Sequence, residues 1–423
     1  MVKKTAKDQQ IIRMAQNAKL AALSLALVPT KTKNKILKHL AQVILDHQDF
    51  IVKENKKDLK AARKQNYPKA LVDRLVLDDK RIIEMSKCLK DTAALADPVG
   101  DVLETFERPN GLIIEKVRTP IGVIGIIFES RPNVTSDCIG LCLKSGNAAI
   151  LKGGKEAFYS NKTIFKLIRD ALKQTEIPYQ AVQLIDSTDR AAVHIMLGLD
   201  QYVDLIVPRG GEGLIRFVAE NSRIPVVKHY KGVCHTFVSD KADLAMAVDI
   251  CVNAKVQRPG VCNAMETMLV SERIAGEFLP IVFEHLTAAG VEIRGCSRTR
   301  RILKNKPNKA DELDWTTEYL DLILSVKVVK DLDAAIVHIN TYGSRHSDAI
   351  VTENKSEAEK FFKSVDSACL YHNASTRFTD GYQFGFGAEV GISTDKLHVR
   401  GPMALEGLTT YKYCIRGKGQ IRT

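Results

Sequence analysis

The stretch "QRPGVCNAM", Gln257 to Met265, sets one thiol in a short turn: Pro259 and Gly260 stop the helical pattern ahead of Cys262, and an apolar run begins soon after. A thiol in such a loop has free backbone N–H groups beside it. These can lower its pKa from about 8.5 and hold an oxyanion, as a nucleophilic cysteine requires. Other cysteines read differently. Cys138 and Cys142 lie four apart on a helical pattern with Ile139 and Leu141, and Cys251 sits inside "AVDICVNA"; buried thiols of this kind pack as small hydrophobes. The nine cysteines are too sparse for a disulfide scaffold and none forms a C-x-x-C pair. Reduced thiols in a cytoplasmic setting, with no metal, are the expectation.

Two glycine-bearing turns offer a second kind of chemistry. In "LKGGKEA" a strand ends in Lys152, Gly153 and Gly154 free the backbone, and Lys155 with Glu156 opens a helix; "VPRGGEGL" repeats that order with Arg209, Gly210 and Gly211. Each can turn N–H groups and a cation toward phosphate oxygens. Plain β–α turns that need positive φ account for the same spacing equally well. The dinucleotide fingerprint G-x-G-x-x-G after a strand is absent, and "GFGAEVG" at 385–391 has neither the spacing nor the setting.

The elements that must carry these residues follow from periodicity. Residues 6–95 read as helices, with Ile36, Leu37, Leu40, Val43 and Ile44 at steps of three and four. "GLIIEKVRTPIGVIGIIFES", 111–130, switches to two strands broken at Pro120. From there to about residue 239, apolar runs such as "AAILK", "VDLIVP" and "IPVVKHY" alternate with helical patterns such as "EAFYSNKTIFKLIRDALKQ". This is the rhythm of β-α-β units on a parallel sheet. A second alternating set follows Cys262, from "ETMLV" to "ACLYHN". The expected fold class is α/β with two parallel-sheet domains in tandem.

Sixty-two Lys plus Arg against fifty Asp plus Glu give a net charge of +12. Much of the lysine lies in the first 90 residues on helical patterns where acids and apolar residues alternate with it, so solvated helix faces account for it. No zinc-finger, RNA-recognition or basic-zipper pattern accompanies the charge, and no nucleic-acid partner is expected. The longest apolar runs, 21–28 and 120–128, fall short of the roughly 20 residues a membrane span requires.

Five segments carry more than local chemistry: residues 120–157, "VPRGGEGLI", "HYKGVCHTFV", "QRPGVCNAMETMLV" and "FGFGAEVGISTDKLHVRGPMALEGLTTYKY". In order and over nearly the whole chain they resemble the gamma-glutamyl phosphate reductases, a family within the aldehyde dehydrogenase superfamily. The resemblance implies an aldehyde dehydrogenase-like fold: a cofactor-binding domain from 1–107 and 120–239, a catalytic domain over 240–380, and a small strand-built oligomerisation element from 108–119 and 402–423. It implies that Cys262 is the nucleophile, and that Asn133 of "RPN" and the backbone N–H of Cys262 hold the oxyanion. Lys152 then grips the adenosine ribose of a nicotinamide cofactor, with Gly153, Gly154, Arg209, Gly210 and Gly211 around it, and Glu318 of "TTEYLDLIL" holds the nicotinamide ribose.

One departure is informative. Hydrolytic aldehyde dehydrogenases carry a glutamate general base in a Glu-Leu-Gly-Gly motif, whereas the corresponding "VKHYKGVCH" has no carboxylate. A thioester meant to exchange with phosphate gains nothing from activated water. The implied activity is NADPH-dependent reduction of L-glutamyl 5-phosphate to L-glutamate 5-semialdehyde, in proline biosynthesis, through a Cys262 thioester. An anionic substrate requires cations, and Arg131, Lys228 and Arg258 lie beside the motifs as candidates. The family further implies a homo-oligomer, and glutamate 5-kinase is the candidate partner.

Overall fold

The computed structural model of the chain describes residues 5–422. It divides into two compact units: Met1–Lys228 with Gly385–Gly391 and Pro402–Thr423, and His229–Phe384 with Ile392–Gly401.

The first unit begins with five helices, α1 (Ala6–Leu25), α2 (Thr30–Asp46), α3 (Gln48–Lys64), α4 (Lys69–Leu75) and α5 (Asp79–Ala94). Thr5 and Asp8 start α1 with a reciprocal capping box, so two otherwise unpaired N–H groups find acceptors. On α2 the buried stripe is Ile36, Leu37, Leu40, Ala41 and Ile44, the spacing the sequence gives.

Strands follow: β1 (Val102–Glu107), β2 (Ile113–Pro120) and β3 (Val123–Phe128), then α6 (Val134–Lys144), β4 (Ala148–Gly153), α7 (Phe158–Leu172), β5 (Val182–Leu184), α8 (Ala191–Leu197), β6 (Leu205–Arg209) and α9 (Glu212–Asn221). A parallel sheet in the order β5-β4-β3-β6 forms the middle of this unit. All six residues of β3 are buried, which is why it reads as an uninterrupted apolar run. "IPVVKHY" forms no strand. It contributes one isolated bridge, Val226 to Ile206.

In the second unit the order is β7 (Cys234–Val238), α10 (Leu244–Val256), β8 (Met265–Ser271), α11 (Ala275–Ala288), β9 (Glu292–Gly295), α12 (Ser297–Ile302), β10 (Asn308–Lys309), β11 (Ile323–Val329), α13 (Leu332–Tyr342), β12 (Ser347–Val351), α14 (Lys355–Ser364) and β13 (Cys369–His372). Its seven strands make one parallel sheet, β10-β9-β11-β8-β7-β12-β13. One core cluster joins Cys251, Met268, Val270, Phe278, Val282 and Val326; another joins Phe237, Leu269, Ile336, Ile350 and Phe361. Adjacent residues Met268 and Leu269 fall into different clusters because a strand alternates its faces.

Near the end, β14 (Gly391–Ser393) pairs with β15 (Gly401–Met403). The last strand, β16 (Thr409–Arg416), pairs antiparallel with β2, Thr409 opposite Pro120 and Ile415 opposite Ile114. The alternation in both segments predicts such a pairing. On the far side of β2 lies β1, all six of its residues exposed. Among the described residues no helix is long and apolar enough to cross a membrane.

Candidate active site

In the second unit α10 stops at Val256, and the loop that follows presents Cys262, half-buried, three residues before β8. Both ends of this loop are pinned. At its start, Lys255 in the last turn of α10 meets Glu266 of β8 at 2.5 Å, both side chains fully buried. Burial lowers the lysine pKa and pushes the Glu266 carboxyl up to about 7, while each partner pulls the other back. The second carboxylate oxygen of Glu266 accepts from the backbone N–H of Leu320 at 3.2 Å. After the thiol, Asn263 Nδ2 donates to the carbonyls of Thr379 (2.8 Å) and Arg377 (3.3 Å), and Thr376 Oγ1 donates to the Asn263 carbonyl at 2.7 Å.

"HYKGVCH" lies against this loop. A Cβ on Gly232 would fall 1.9 Å from the Cys262 carbonyl oxygen, so only glycine permits the approach. The Cys234 thiol donates to that same carbonyl at 3.2 Å. The N–H of Gly232 donates to Glu318 Oε1 at 2.9 Å. Glu318, Gly232 and Cys262, far apart in sequence, are thus neighbours.

Cations gather beside the thiol. Arg258 is exposed, and Arg377, half-buried, donates from Nε to Gln257 Oε1 at 2.9 Å. Burial lowers the pKa of Arg377, the charge of Arg258 lowers it further, and Cys262, Asp380 and Cys234 oppose the shift. Two guanidinium groups that feel each other beside a thiol suit an anionic substrate. Sequence reading does not find Arg377: it lies 114 positions from its Asn263 partner, in a segment with no motif of its own.

The other thiols are chemically quieter. Burial pushes Cys138 and Cys251 up to about 12, and Cys142 and Cys234 well above the ordinary value. Cys296 is the exception. Burial raises it, but the Thr299 hydroxyl and the N–H groups of Thr299, Val328 and Arg298 bring it below its usual value. A Ser-Asp-His group also occurs, with Ser367 Oγ donating to Asp348 Oδ2 at 2.5 Å and Asp348 Oδ1 lying 2.9 Å from His235 Nδ1. There the serine bonds the carboxylate rather than the imidazole, inside the core, so it is no nucleophile.

In the first unit, Asn133 stands at the N-cap of α6, half-buried, and its Nδ2 donates to Asp137 Oδ2 at 2.8 Å. Lys152, next to last in β4, is 5% exposed and donates from Nζ to the Gly153 carbonyl at 2.8 Å. Burial lowers its pKa, while Glu156 and Asp189 pull it back. A buried ammonium with donors to spare fits the hydroxyls of a cofactor ribose.

The glycine turns are not the positive-φ turns that their spacing allows. None of Gly153, Gly154, Gly210 and Gly211 has positive φ. Gly154 and Gly210 instead leave room for carboxylates: a Cβ would lie 2.1 Å from Glu156 Oε1 and 2.4 Å from Glu129 Oε2 respectively. Glu156 Oε1 accepts from Ser130 N at 2.7 Å, and Glu129 Oε2 accepts from Gly211 N at 3.0 Å. The Gly211 N–H at the start of α9 is thus held by an acid, which sequence reading also missed. Arg209 and Arg131 are half-buried in this unit, as is Lys228 where the unit's first segment ends.

The chain matches the aldehyde dehydrogenase family over residues 2–293. It is 56% identical to the gamma-glutamyl phosphate reductase of Nautilia profundicola, over 98% of this chain and all of that one. The crystal structure of the Thermotoga maritima gamma-glutamyl phosphate reductase superposes with a TM-score of 0.96 at 50% identity, covering 98% of this chain and 100% of that one. The Saccharomyces cerevisiae gamma-glutamyl phosphate reductase follows at 35% identity and a TM-score of 0.55, covering 98% of each. With its family match covering more than half of its length and these relatives covering nearly all of it, the chain belongs to the aldehyde dehydrogenase family, among the gamma-glutamyl phosphate reductases.

Proposed function

We propose that the chain reduces L-glutamyl 5-phosphate to L-glutamate 5-semialdehyde with release of phosphate, using NADPH, as a step of proline biosynthesis. One observation supports this over simple aldehyde oxidation: the segment packed against Cys262 through Gly232 offers no carboxylate of its own to activate water. The carboxylate that does touch it, Glu318, has Oε1 held by the Gly232 N–H.

In this reading the Cys262 thiolate attacks the acyl carbon of the mixed anhydride, and a C–S bond forms. The oxyanion is held by the Asn133 amide and the Cys262 N–H, donors that count most as charge develops. Collapse breaks the bond between the acyl carbon and the bridging oxygen, and phosphate departs with that oxygen, its charge met by Arg258 and Arg377, with Arg131 and Lys228 as further candidates. When bound, the nicotinamide cofactor supplies the hydride that brings the thioester to the aldehyde level. Lys152, the turns at Gly153–Gly154 and Arg209–Gly211, and Glu318 are the residues proposed to hold it. Breaking the C–S bond then returns the thiolate and frees the semialdehyde. A homo-oligomer built on the β2 and β16 strands, a cytoplasmic location and supply of the acyl phosphate by glutamate 5-kinase complete the proposal.

The test runs the reaction backwards. Glutamate semialdehyde with NADP should give NADPH only when phosphate or arsenate is present. An equal rate without either anion overturns the proposal and makes the chain a hydrolytic dehydrogenase.

A further inference from the structure

We propose that Asp137 is the positioning residue of the oxyanion site, holding the Asn133 amide by its nitrogen with one N–H left for the reacting oxygen. The proposal rests on the reading of Asn133 as the oxyanion donor.

Asparagine at an N-cap ordinarily turns its side-chain oxygen onto the N–H groups of the first turn. Asn133 does not: its backbone is helical, φ −59° and ψ −27°, and its side chain makes no cap bond. The amide is committed instead to Asp137, Nδ2 donating to Oδ2 at 2.8 Å. The helical repeat supplies this geometry, because residues four apart share one face.

An amide oxygen and nitrogen are nearly equal in size, and neutral surroundings let an asparagine sit either way. An ionised carboxylate only accepts, so it dictates where the nitrogen goes. Among the described residues the Nδ2 of Asn133 has no other partner. Asp137 is itself held. Ser136 Oγ reaches its Oδ1 at 3.2 Å and the Asn133 carbonyl at 2.9 Å, which ties the three residues into one first turn.

A negative charge behind the donor opposes a developing oxyanion through space. Arg209, at the end of β6, offsets it, and Cys88 on α5 adds a hydrogen bond. Burial pushes the Asp137 carboxyl up from 3.8 to about 6, against the bonds from Asn133, Cys88 and Ser136 and the charge of Arg209. Once protonated it becomes a donor as well as an acceptor, and it no longer dictates how the amide sits.

The experiment measures kcat and KM for the parent, Asp137→Asn, Asn133→Ala and the double variant. Asp137→Asn should lower kcat about tenfold or more at neutral pH while both KM values hold within about twofold. In the Asn133→Ala background the same change should alter kcat less than about twofold, since two groups acting as one unit are not additive. Additive losses, or normal kcat in Asp137→Asn beside a slow Asn133→Ala, overturn the positioning role alone. A normal kcat in Asn133→Ala overturns the oxyanion reading itself, and the proposal with it. Should Asp137→Asn fail to fold, the parent's kcat–pH profile decides. Its acidic limb near pH 6 should vanish in Asn133→Ala, and a limb that survives there refutes the proposal.

Discussion

Gly232 and Cys262 are packed backbone against backbone, with room between them for a hydrogen and nothing larger. Gly232→Ala must therefore displace the nucleophile loop or the segment facing it. We expect a loss of about 1–3 kcal/mol in urea denaturation, the usual range for overpacking. The kcat per folded molecule should also fall, because the displaced backbone includes the proposed oxyanion N–H of Cys262. A variant as active as the parent would show that the close approach has no bearing on the chemistry.

Thiol reactivity should sort by environment. Alkylation by iodoacetamide at neutral pH should inactivate the chain in step with labelling of Cys262, and Cys262→Ser should abolish turnover with the melting temperature held. Cys138, Cys142, Cys234 and Cys251 should stay unlabelled until the chain unfolds, since burial raises all four thiols. Cys296 should label without inactivation. Peptide mapping against residual activity separates these outcomes, and inactivation that tracks Cys296 would contradict the assignment.

Replacing Lys255 by Met leaves the fully buried Glu266 carboxyl without its cation. Without Lys255 to hold it down, Glu266 must either stay charged and unpaired or take up a proton, and at about pH 8 the loss should be about 3 kcal/mol or more. Adding Glu266→Gln to that variant should restore most of the stability, because no charge is then left uncompensated. Denaturant midpoints of the parent, of Lys255→Met and Glu266→Gln singly and of the double variant give the coupling directly; simple additivity would mean the pair does not act as one.

Asp137 also makes a prediction about stability. Its folded pKa, about 6, lies above the ordinary 3.8, so the folded chain holds this proton more tightly than the unfolded one. The group's contribution to stability is then full below pH 3.8 and is lost as pH rises through 6. Asp137→Asn lacks that titration. Its melting temperature relative to the parent should climb between about pH 4 and about pH 7, and a difference that stays flat or falls contradicts the raised pKa.

The edge strand β16 exposes Tyr411, Tyr413 and Ile415 on one face. Truncating the chain after Thr410 spares the bond from Asn147 Nδ2 to the Leu408 carbonyl and removes most of β16 with the residues that follow it. Light scattering should then show monomers where the full chain shows an oligomer. An oligomer that survives the deletion would place the interface elsewhere.

What could be read in advance depended on whether a residue's role was local. The Cys262 loop was legible because Pro259 and Gly260 follow the end of α10 within a few residues, and the parallel sheets because strands such as β3, β4 and β8 are buried along nearly their whole length. β1 gave no signal: with every residue exposed, it has no apolar face to alternate. Arg377 and the Lys255–Glu266 pair escaped for another reason, since a bare sequence does not say which charges share one loop. The glycines misled in an instructive way. Glycine marks both positive φ and close approach, and only the positions of Glu129 and Glu156 show that here it is approach.

The path of the chain has a consequence for how it reaches this state. The first unit is left at Lys228, rejoined at Gly385, left again after Gly391 and rejoined at Pro402. Its β2 waits for a partner, β16, that arrives some three hundred residues later, as the Glu115–Arg416 ion pair across them records. During synthesis the second unit's sheet is therefore complete while the first still lacks a strand and its β2 shows an open edge. Such an edge is sticky toward other chains until closed. The slow, concentration-sensitive stage of folding should accordingly be the return of residues 402–416, long after both parallel sheets exist.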